Sequence, residues 1–360
     1  MLSRTVISTV GVGMQGLARF IYTLLIGRLA GPESLGEISA LLSLAVYASL
    51  FWPAAAGVAA SRFLPDPRVA ISALKPLKTS FMTSVLILAV LSMCAAWALG
   101  SSAAELVGTI ALVMSYSGYV FVRGVLMGQD RITRATVIDT IASLVAITAL
   151  ALVLLAGWHW ALMLPLAVSY AIFAVSSWPR EHGEASPRQR REVLIFTRDS
   201  AVALLATGGL LPVTMVFVRA FETSQVAGLF AAGLSLATPA NLVAQSVNQV
   251  LIPHFARMRE GAAHLIRRSH SRVFLVTLVG FSVFFGALSL LAPWILRVFY
   301  GDQYLGGALS MQLMLIAVFF MSVMSAPAAY LVAIGRQGLY AKIWLVATIL
   351  GTLVMLVASP

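Results

Sequence analysis

Long apolar segments, each bounded by charged residues, Gly or Pro, follow one another along nearly the whole chain. A helix needs about 20 apolar residues to cross a bilayer, and these segments have that length. β-Barrel strands would be about ten residues long with alternating polarity, which these segments do not show. Because backbone groups in lipid must be hydrogen-bonded within the segment, the pattern predicts transmembrane helices. Eleven are predicted, at 5–27, 34–59, 79–99, 104–127, 136–157, 159–178, 200–221, 226–252, 273–296, 306–334 and 341–358.

The composition agrees with a chain that lies in lipid. Hydrophobic residues make up 60% of the 360 residues, and the mean hydropathy is +0.94. Only 10% of the residues are charged, against roughly 25% in an ordinary soluble domain. The sequence therefore predicts an all-α, polytopic integral membrane protein and disfavours the soluble enzyme classes.

The basic residues predict how the chain is oriented. The net charge is +11, and in a soluble chain it would suggest nucleic-acid binding. With the N-terminus placed in the cytoplasm, twenty Lys and Arg residues fall on the inner side, and only Arg28, Arg219 and Arg297 fall on the outer side. This asymmetry satisfies the positive-inside rule. It predicts a multi-pass protein with a cytoplasmic N-terminus and accounts for the charge without nucleic acid.

A polar stretch at 179–199, with Pro187 and mixed charge, divides the chain. It predicts a solvated cytoplasmic linker between a six-helix bundle at 1–178 and a second bundle at 200–360. The second bundle has only five predicted helices, so we expect that a final twelfth helix is lacking.

The two halves resemble each other in sequence. Residues 35–44 can be aligned with residues 227–236, so that Gly36 stands opposite Gly228 and Gly, Ala, Ser and Leu recur at the same offsets. Both halves start on the inner side. The alignment therefore predicts a parallel repeat, with a pseudo-twofold axis along the membrane normal and a central cavity between the bundles.

Polar side chains inside the first span form a stripe at helical spacing. Gln15, Arg19 and Tyr22 share one helix face, and Arg19 lies more than two turns from the nearer end of the span. A charge at the bilayer centre costs about 2.5–3.5 kcal/mol on insertion scales, so lipid would reject this face. Two interpretations remain open, a cation that lines a cavity and a structural bond to a neighbouring helix.

A second polar stripe occupies the eighth predicted span. Asn241, Gln245 and Asn248, with Gln249, lie at positions i, i+4, i+7 and i+8. One amide could join two helices by hydrogen bonding. Four on one face indicate the wall of a hydrophilic cavity, although the helix-joining interpretation stays open.

Three further charged residues are candidate site residues. Arg123 and Asp139 lie near the inner ends of neighbouring predicted spans, where an ion pair between them is plausible. A proton-coupling role for Asp139 is the alternative to that pair. Arg123 and Arg219 are candidates for substrate binding, with snorkelling to the interface or simple anchoring as the alternatives.

Small residues predict two surfaces of close helix packing. They are Gly124-x-x-x-Gly128 and the run at 54–61, which consists largely of Ala and Gly. Small side chains let transmembrane helices approach closely.

Signatures of catalysis and cofactor binding are missing from the sequence. The Gly11–Gly16 segment matches G-x-G-x-x-G, but the dinucleotide motif needs a preceding strand and this segment lies in a predicted membrane helix. No P-loop occurs, and the five histidines lack metal-ligand spacing. We therefore predict no enzyme activity, no metal and no cofactor.

The segment Gly27–Leu41 resembles the first loop and second helix of bacterial polysaccharide-biosynthesis membrane proteins. These are oligosaccharide flippases, similar to O-antigen flippases, of the multidrug/oligosaccharidyl-lipid/polysaccharide exporter superfamily. Their A-R-x-L-G-P-x-x-F/Y-G pattern is matched here by Arg28, Gly31, Pro32 and Gly36, with Glu33 between them and Leu35 in place of the aromatic residue. Members usually have twelve or fourteen spans, against the eleven predicted here.

The resemblance implies flipping of a polyprenyl-pyrophosphate-linked oligosaccharide across the bacterial plasma (inner) membrane, for surface polysaccharides such as lipopolysaccharide. Arg19 would then offset the pyrophosphate charge, and Asn241, Gln245 and Asn248 would bind sugar hydroxyls. Implied partners are membrane lipids and a polysaccharide polymerase or other assembly proteins. Two alternatives remain, a drug/cation antiporter of the same superfamily and a non-transporting scaffold of a polysaccharide-assembly complex.

Overall fold

The computed structural model describes residues 2–180, 183–238, 263–324, 327 and 337–358. Within these residues every regular element is helical, which confirms the predicted all-α class. The helices of the first half are α1 (Leu2–Leu29), α2 (Gly31–Phe51), α3 (Pro53–Phe63), α4 (Pro67–Ala98), α5 (Ala103–Gly128), α6 (Ile132–Leu155) and α7 (Leu164–Ser176), with a 3-10 turn at His159–Ala161.

The second half begins with α8 (Pro187–Gly208), α9 (Leu210–Phe221) and α10, which is described over Ser224–Thr238. It continues with α11 (Ala263–Leu290), α12 (Ala292–Phe299), a 3-10 turn at Asp302–Gly307, α13 (Ala308–Val323) and α14 (Gln337–Ala358). Each of the eleven predicted spans thus contains a described helix.

Many of these helices suit a bilayer. Seven in the described part of the chain are long and apolar enough to cross it, at Gly31–Phe51, Val69–Ala98, Ala103–Gly128, Ile132–Leu155, His159–Ser176, Val273–Leu290 and Asp302–Val323. The bent pair α8 and α9 would make an eighth. Large apolar side chains are widely exposed, as at Val283, which is 68% exposed. This surface is the one that a multi-pass membrane protein offers to lipid.

Several predicted spans are interrupted where the hydropathy profile is continuous. The predicted span at 34–59 consists of two helices, because α2 ends at Phe51 and α3 restarts at Pro53, which has no backbone N–H to extend the ladder. The span at 200–221 bends by 61° between α8 and α9, next to Gly209.

Part of the stretch at 179–199, which the sequence predicts to be a cytoplasmic linker, is helical. Helix α8 already begins at Pro187, where the Ser186 side chain accepts a hydrogen bond from the Gln189 N–H. Serine at the N-cap and proline at the first helical position are both favourable helix starts. The helix therefore begins well before the apolar segment that marks the span.

Helices α3 and α5 of the first half pack closely against each other. A methyl group built on Gly124 would lie 2.2 Å from the Gly57 carbonyl oxygen, and one on Gly128 would lie 2.5 Å from that of Ala60. The two small-residue surfaces predicted from the sequence are therefore packed against each other, and the backbones touch.

Candidate functional site

A buried polar cluster lies inside the first half, where α1, α5, α6 and α7 meet. We call it the tyrosine–arginine cluster, and it contains Gln15, Arg19, Tyr22, Tyr116, Tyr119, Arg123, Asp139 and Tyr170. It unites five of the residues proposed from sequence as site residues, and Tyr116, Tyr119 and Tyr170 surround them. Sequence reasoning did not single out Tyr170, because nothing in its helix marks it as polar-facing.

Arg19 is the cation of this cluster that has no acidic partner. Its guanidinium carbon lies 5.9 Å from the centre of the Tyr116 ring, and it forms no ion pair with any described residue. A guanidinium at that distance from an aromatic face is stabilised by cation–π attraction, which is weaker than full neutralisation. A positive charge thus remains available inside the helix bundle.

The other two residues of the α1 stripe bind other helices. The Tyr119 hydroxyl donates a hydrogen bond of 2.6 Å to the Gln15 side-chain oxygen. The Tyr22 hydroxyl donates to the Leu162 backbone carbonyl. These bonds tie α1, the helix that carries Arg19, to α5 and to the segment before α7.

The predicted ion pair between Arg123 and Asp139 is present. Arg123 Nε lies 3.2 Å from Asp139 Oδ2, and the Asp139 side chain is only 1% exposed. One buried polar atom of each residue, Arg123 Nη2 and Asp139 Oδ1, has no hydrogen-bond partner within the described residues. The pair is therefore neutralised in charge and incompletely hydrogen-bonded.

The cluster is closed in this conformation. The cavity between Arg19, Tyr119, Asp139 and Tyr170 has a volume of about 10 Å³, which is room for about one water molecule. The cavity that one of the two interpretations places next to Arg19 is thus not open here, and a larger ligand needs the helices around the cluster to separate.

Other candidates lie elsewhere. Arg219, at the end of α9, lies 3.7 Å from Glu37 of α2. The Ser224 hydroxyl donates a 3.1 Å hydrogen bond to the same carboxylate. This group is separate from the cluster and joins the two halves. Asn241, Gln245 and Asn248 lie outside the described residues, and their predicted role in sugar binding stays a prediction.

The two halves meet where α1 ends and α2 begins, which we call the outer end after the predicted orientation. A methyl group on Gly36 would lie 2.1 Å from the Ser224 carbonyl oxygen, and one on Gly228 would lie 1.8 Å from that of Pro32. Pro32 and Gly36 are one turn apart in α2, as Ser224 and Gly228 are in α10. The two contacts mirror each other, as expected at a pseudo-twofold axis.

Two reciprocal helix caps strengthen this outer interface. The Arg28 guanidinium, at the end of α1, donates to the Val298 and Phe299 carbonyls in the last turn of α12, at 3.1 and 3.4 Å. The Tyr304 hydroxyl donates a 2.8 Å hydrogen bond to the Gly27 carbonyl in the last turn of α1. The last carbonyls of a helix lack intrahelical partners, so each half satisfies groups of the other. Together with the glycine contact and the Arg219–Glu37 pair, these bonds close the outer end.

Comparisons with known proteins agree with these features. A family model described as "Polysaccharide biosynthesis protein" matches residues 76–309, which is more than half of the chain. No curated protein matches the sequence. Among solved structures, the inward-facing conformation of a multidrug resistance MATE family transporter of the MOP superfamily is similar, with a TM-score of 0.72 and 14% identity over 95% of this chain and 87% of that one.

A second solved structure, of MATE in complex with MaL6, has a TM-score of 0.51 and 13% identity over 96% of this chain and 84% of that one. At such identities the likeness shows a shared fold. The family follows from the sequence model that covers residues 76–309: the chain belongs to the polysaccharide biosynthesis protein family.

Proposed function

We propose that this protein flips a polyprenyl-pyrophosphate-linked oligosaccharide across the bacterial plasma membrane, with its N-terminus in the cytoplasm, for surface polysaccharide biosynthesis. The family and the fold shared with MATE transporters support the proposal. The observation that carries it is the outer interface, where two similar halves are joined by separable contacts. Halves that can part at this end can alternate between inner and outer access.

The contacts at the outer interface are suited to repeated opening. They include one long ion pair, a few hydrogen bonds to helix-terminal carbonyls, and a van der Waals contact between backbones. The Arg219 and Glu37 side chains are only 21% and 33% exposed. Once opening admits water, a partly exposed ion pair and such hydrogen bonds exchange for bonds to solvent, so each has a small net free energy. Opening the outer end therefore exposes groups that solvent can satisfy, and rocking of the halves is energetically accessible.

The charge in the first half suits an anionic substrate. The charge of Arg123 is neutralised by Asp139, whereas Arg19 has only aromatic partners. A guanidinium binds pyrophosphate oxygens with two parallel hydrogen bonds, which are stronger than its contact with a tyrosine ring. Arg19 would therefore favour a pyrophosphate that reached the cluster after the helices separate.

Exchange of a cationic drug for protons is the second candidate function. The observation in its favour is Asp139, a buried acidic residue of the kind that binds cations or protons within a membrane. The pairing with Arg123 counts against it, because that carboxylate has no uncompensated charge to offer a cation.

The proposal is tested with Arg19→Ala and Arg19→Lys in a strain that lacks the wild-type gene. We expect Arg19→Ala to reduce export of surface glycan at least about tenfold, the effect of losing one hydrogen bond to a charged group. Arg19→Lys should retain part of the activity, since it keeps the charge. Export is measured as surface glycan per amount of transporter in the membrane.

Arg131→Ala is the matched control, because it removes an exposed Arg at the turn between α5 and α6. It should export normally. Normal export by Arg19→Ala would contradict the role of Arg19. Normal surface glycan in cells that lack the protein altogether would contradict the proposed function itself, and loss of glycan with intact export of the lipid-linked precursor would favour a scaffold.

A further inference from the structure

A long groove runs along one face of α8, on the side of the molecule opposite the outer end. Its volume is about 620 Å³, within the range of small-ligand sites. Arg190, Arg191, Leu194, Ile195 and Arg198 line it at successive turns of α8, and Trp52 lines it from the break between α2 and α3. Sequence reasoning assigned these arginines to membrane orientation only, since loop arginines are expected there anyway.

The opposite face of α8 is fixed against the first half. Val193 and Thr197 are fully buried, and α8 packs on α3 and α4. The centres of the Phe196 and Phe63 rings lie 5.6 Å apart. The Arg62 guanidinium carbon lies 4.5 Å from the centre of the Phe196 ring. The arginines of the groove therefore project from a helix whose position is fixed by packing against the first half.

The groove is strongly positive and incompletely compensated. The side chains of Arg190 and Arg191 form no ion pair or hydrogen bond with any described residue, and the Arg198 side chain pairs only with its neighbour Asp199, at 2.8 Å. Helix α8 has no acidic residue in its first turn. Arginines near the positive end of a helix are unfavourable, so an anion bound there would stabilise the helix.

The groove also contains apolar surface next to these charges. Ile195 is 40% exposed in the groove, and Leu194 lies beside it. The indole N–H of Trp52 is buried and has no acceptor within the described residues. Apolar side chains beside guanidinium groups fit an anionic lipid, whose acyl or prenyl chain can cover them. A soluble anion would leave Leu194 and Ile195 exposed to water.

We propose that the α8 groove is an entry site that binds the diphosphate of a polyprenyl diphosphate lipid at the inner membrane face, a step that rests on the proposed function. Three guanidinium groups and no carboxylate line the groove. Such a set fits a diphosphate, with two or more negative charges, better than the single charge of an ordinary phosphodiester lipid. The polyprenyl chain would leave along Leu194 and Ile195, and the diphosphate would be held for transfer to the interior.

The test measures binding of a sugar-free polyprenyl diphosphate to the purified full-length protein by native mass spectrometry. We expect the double variant Arg190→Gln/Arg191→Gln to bind about tenfold more weakly, as two unpaired charge-assisted contacts are lost. Arg131→Gln, which removes an exposed arginine outside the groove, should bind like wild type. Size-exclusion profiles of all variants should match, and no variant should melt at a lower temperature than wild type, because each substituted side chain is exposed.

Competing ligands decide what the groove recognises. Equal binding of phosphatidylglycerol, with equal loss in the double variant, would overturn the proposal in favour of a general acidic-lipid surface. Equal binding of inorganic diphosphate would overturn it in favour of a soluble anion site. Unchanged binding in the double variant would show that the groove is not the site.

A transport assay separates this inference from the proposed function. The wild-type protein and the double variant are reconstituted side by side. If both bind and flip a lipid-linked oligosaccharide equally well, the role of the groove is overturned and the proposed function stands. Wild-type protein that fails to flip any lipid-linked oligosaccharide would overturn the proposed function, whatever the groove binds.

Discussion

Replacing Gly228 with alanine is expected to abolish glycan export, because the outer end could no longer close. The new methyl group would lie 1.8 Å from the Pro32 carbonyl oxygen, a backbone atom that cannot rotate away. Overpacking of this kind costs on the order of 3 kcal/mol, which shifts a two-state equilibrium about a hundredfold. The closed outer end would become a minor state, and the cycle of alternating access would stop.

The same variant should be visibly open at the outer end. In a Cys94→Ala background, a cysteine at Ser101, in the small cavity beside Glu37 and Arg219, reports access from outside. We expect Gly228→Ala to raise the rate of labelling of this cysteine by a membrane-impermeant maleimide at least about tenfold. Gly280→Ala is the matched control, since a methyl group there meets no atom within 4 Å. Normal export and unchanged labelling in Gly228→Ala would contradict the claim that the contact between Gly228 and Pro32 closes the outer end.

Replacing Asp139 with alanine is expected to cause the largest loss of stability. Removal of one partner of a buried ion pair leaves an uncompensated charge and costs about 3–5 kcal/mol. The Arg123 side chain, which is 19% exposed, would keep its charge without an acidic partner. The double variant Arg123→Met/Asp139→Leu should recover most of the loss, because it removes both charges and fills the space. Unfolding in detergent, followed by a double-mutant cycle, measures both effects.

An exposed ion pair of the same protein provides the control. Arg297 Nε lies 2.7 Å from Asp302 Oδ1, and both side chains are about two thirds exposed, at 66% and 69%. Asp302→Ala should cost less than about 1 kcal/mol, as exposed pairs do. Equal losses in Asp139→Ala and Asp302→Ala would show that burial of the Arg123–Asp139 pair does not govern its contribution.

Hydropathy predicted where the helices are, and it could not predict where they break. Each predicted span contains a helix because burying about 20 apolar residues in lipid decides the matter locally. The break at Trp52 and the bend at Gly209 depend on how one helix end meets its neighbours; a methyl group built on Gly209, for example, would lie 3.2 Å from the Tyr47 ring. A window of hydropathy carries no information about such contacts.

Small-residue patterns predicted which helix surfaces pack closely, but they did not predict which surfaces pack against each other. The Gly124-x-x-x-Gly128 surface and the run at 54–61 were identified separately, and the structure packs them on each other. The internal alignment placed Gly36 opposite Gly228 as equivalent residues, and their contact was not foreseen. Two equivalent residues of a repeat touch each other only where they lie next to the pseudo-twofold axis. A sequence alignment shows which residues are equivalent, but it does not show where that axis lies.

The sequence predicted which helix faces carry the polar residues of the candidate site, but not which residues of other helices surround them. Helical spacing placed Gln15, Arg19 and Tyr22 on one face of α1, and proximity to the inner side suggested the Arg123–Asp139 pair, which the structure contains. That α5 and α7 would supply Tyr116 and Tyr170 around Arg19 depends on tertiary packing. For the same reason, the arginines of α8 could not be distinguished from ordinary orientation signals until a groove was seen between them.

The central claim, movement of a lipid-linked anion between leaflets, is tested most directly in vesicles that contain only the purified protein. A fluorescent polyprenyl-diphosphate oligosaccharide is placed in both leaflets, and the fraction that a membrane-impermeant quencher reaches is followed over time. We predict that wild-type protein brings the inner-leaflet fraction to the quencher, while a fluorescent phosphatidylglycerol in the same vesicles stays in place. A quenched fraction that stops at the outer-leaflet share, as in protein-free vesicles, would contradict the account.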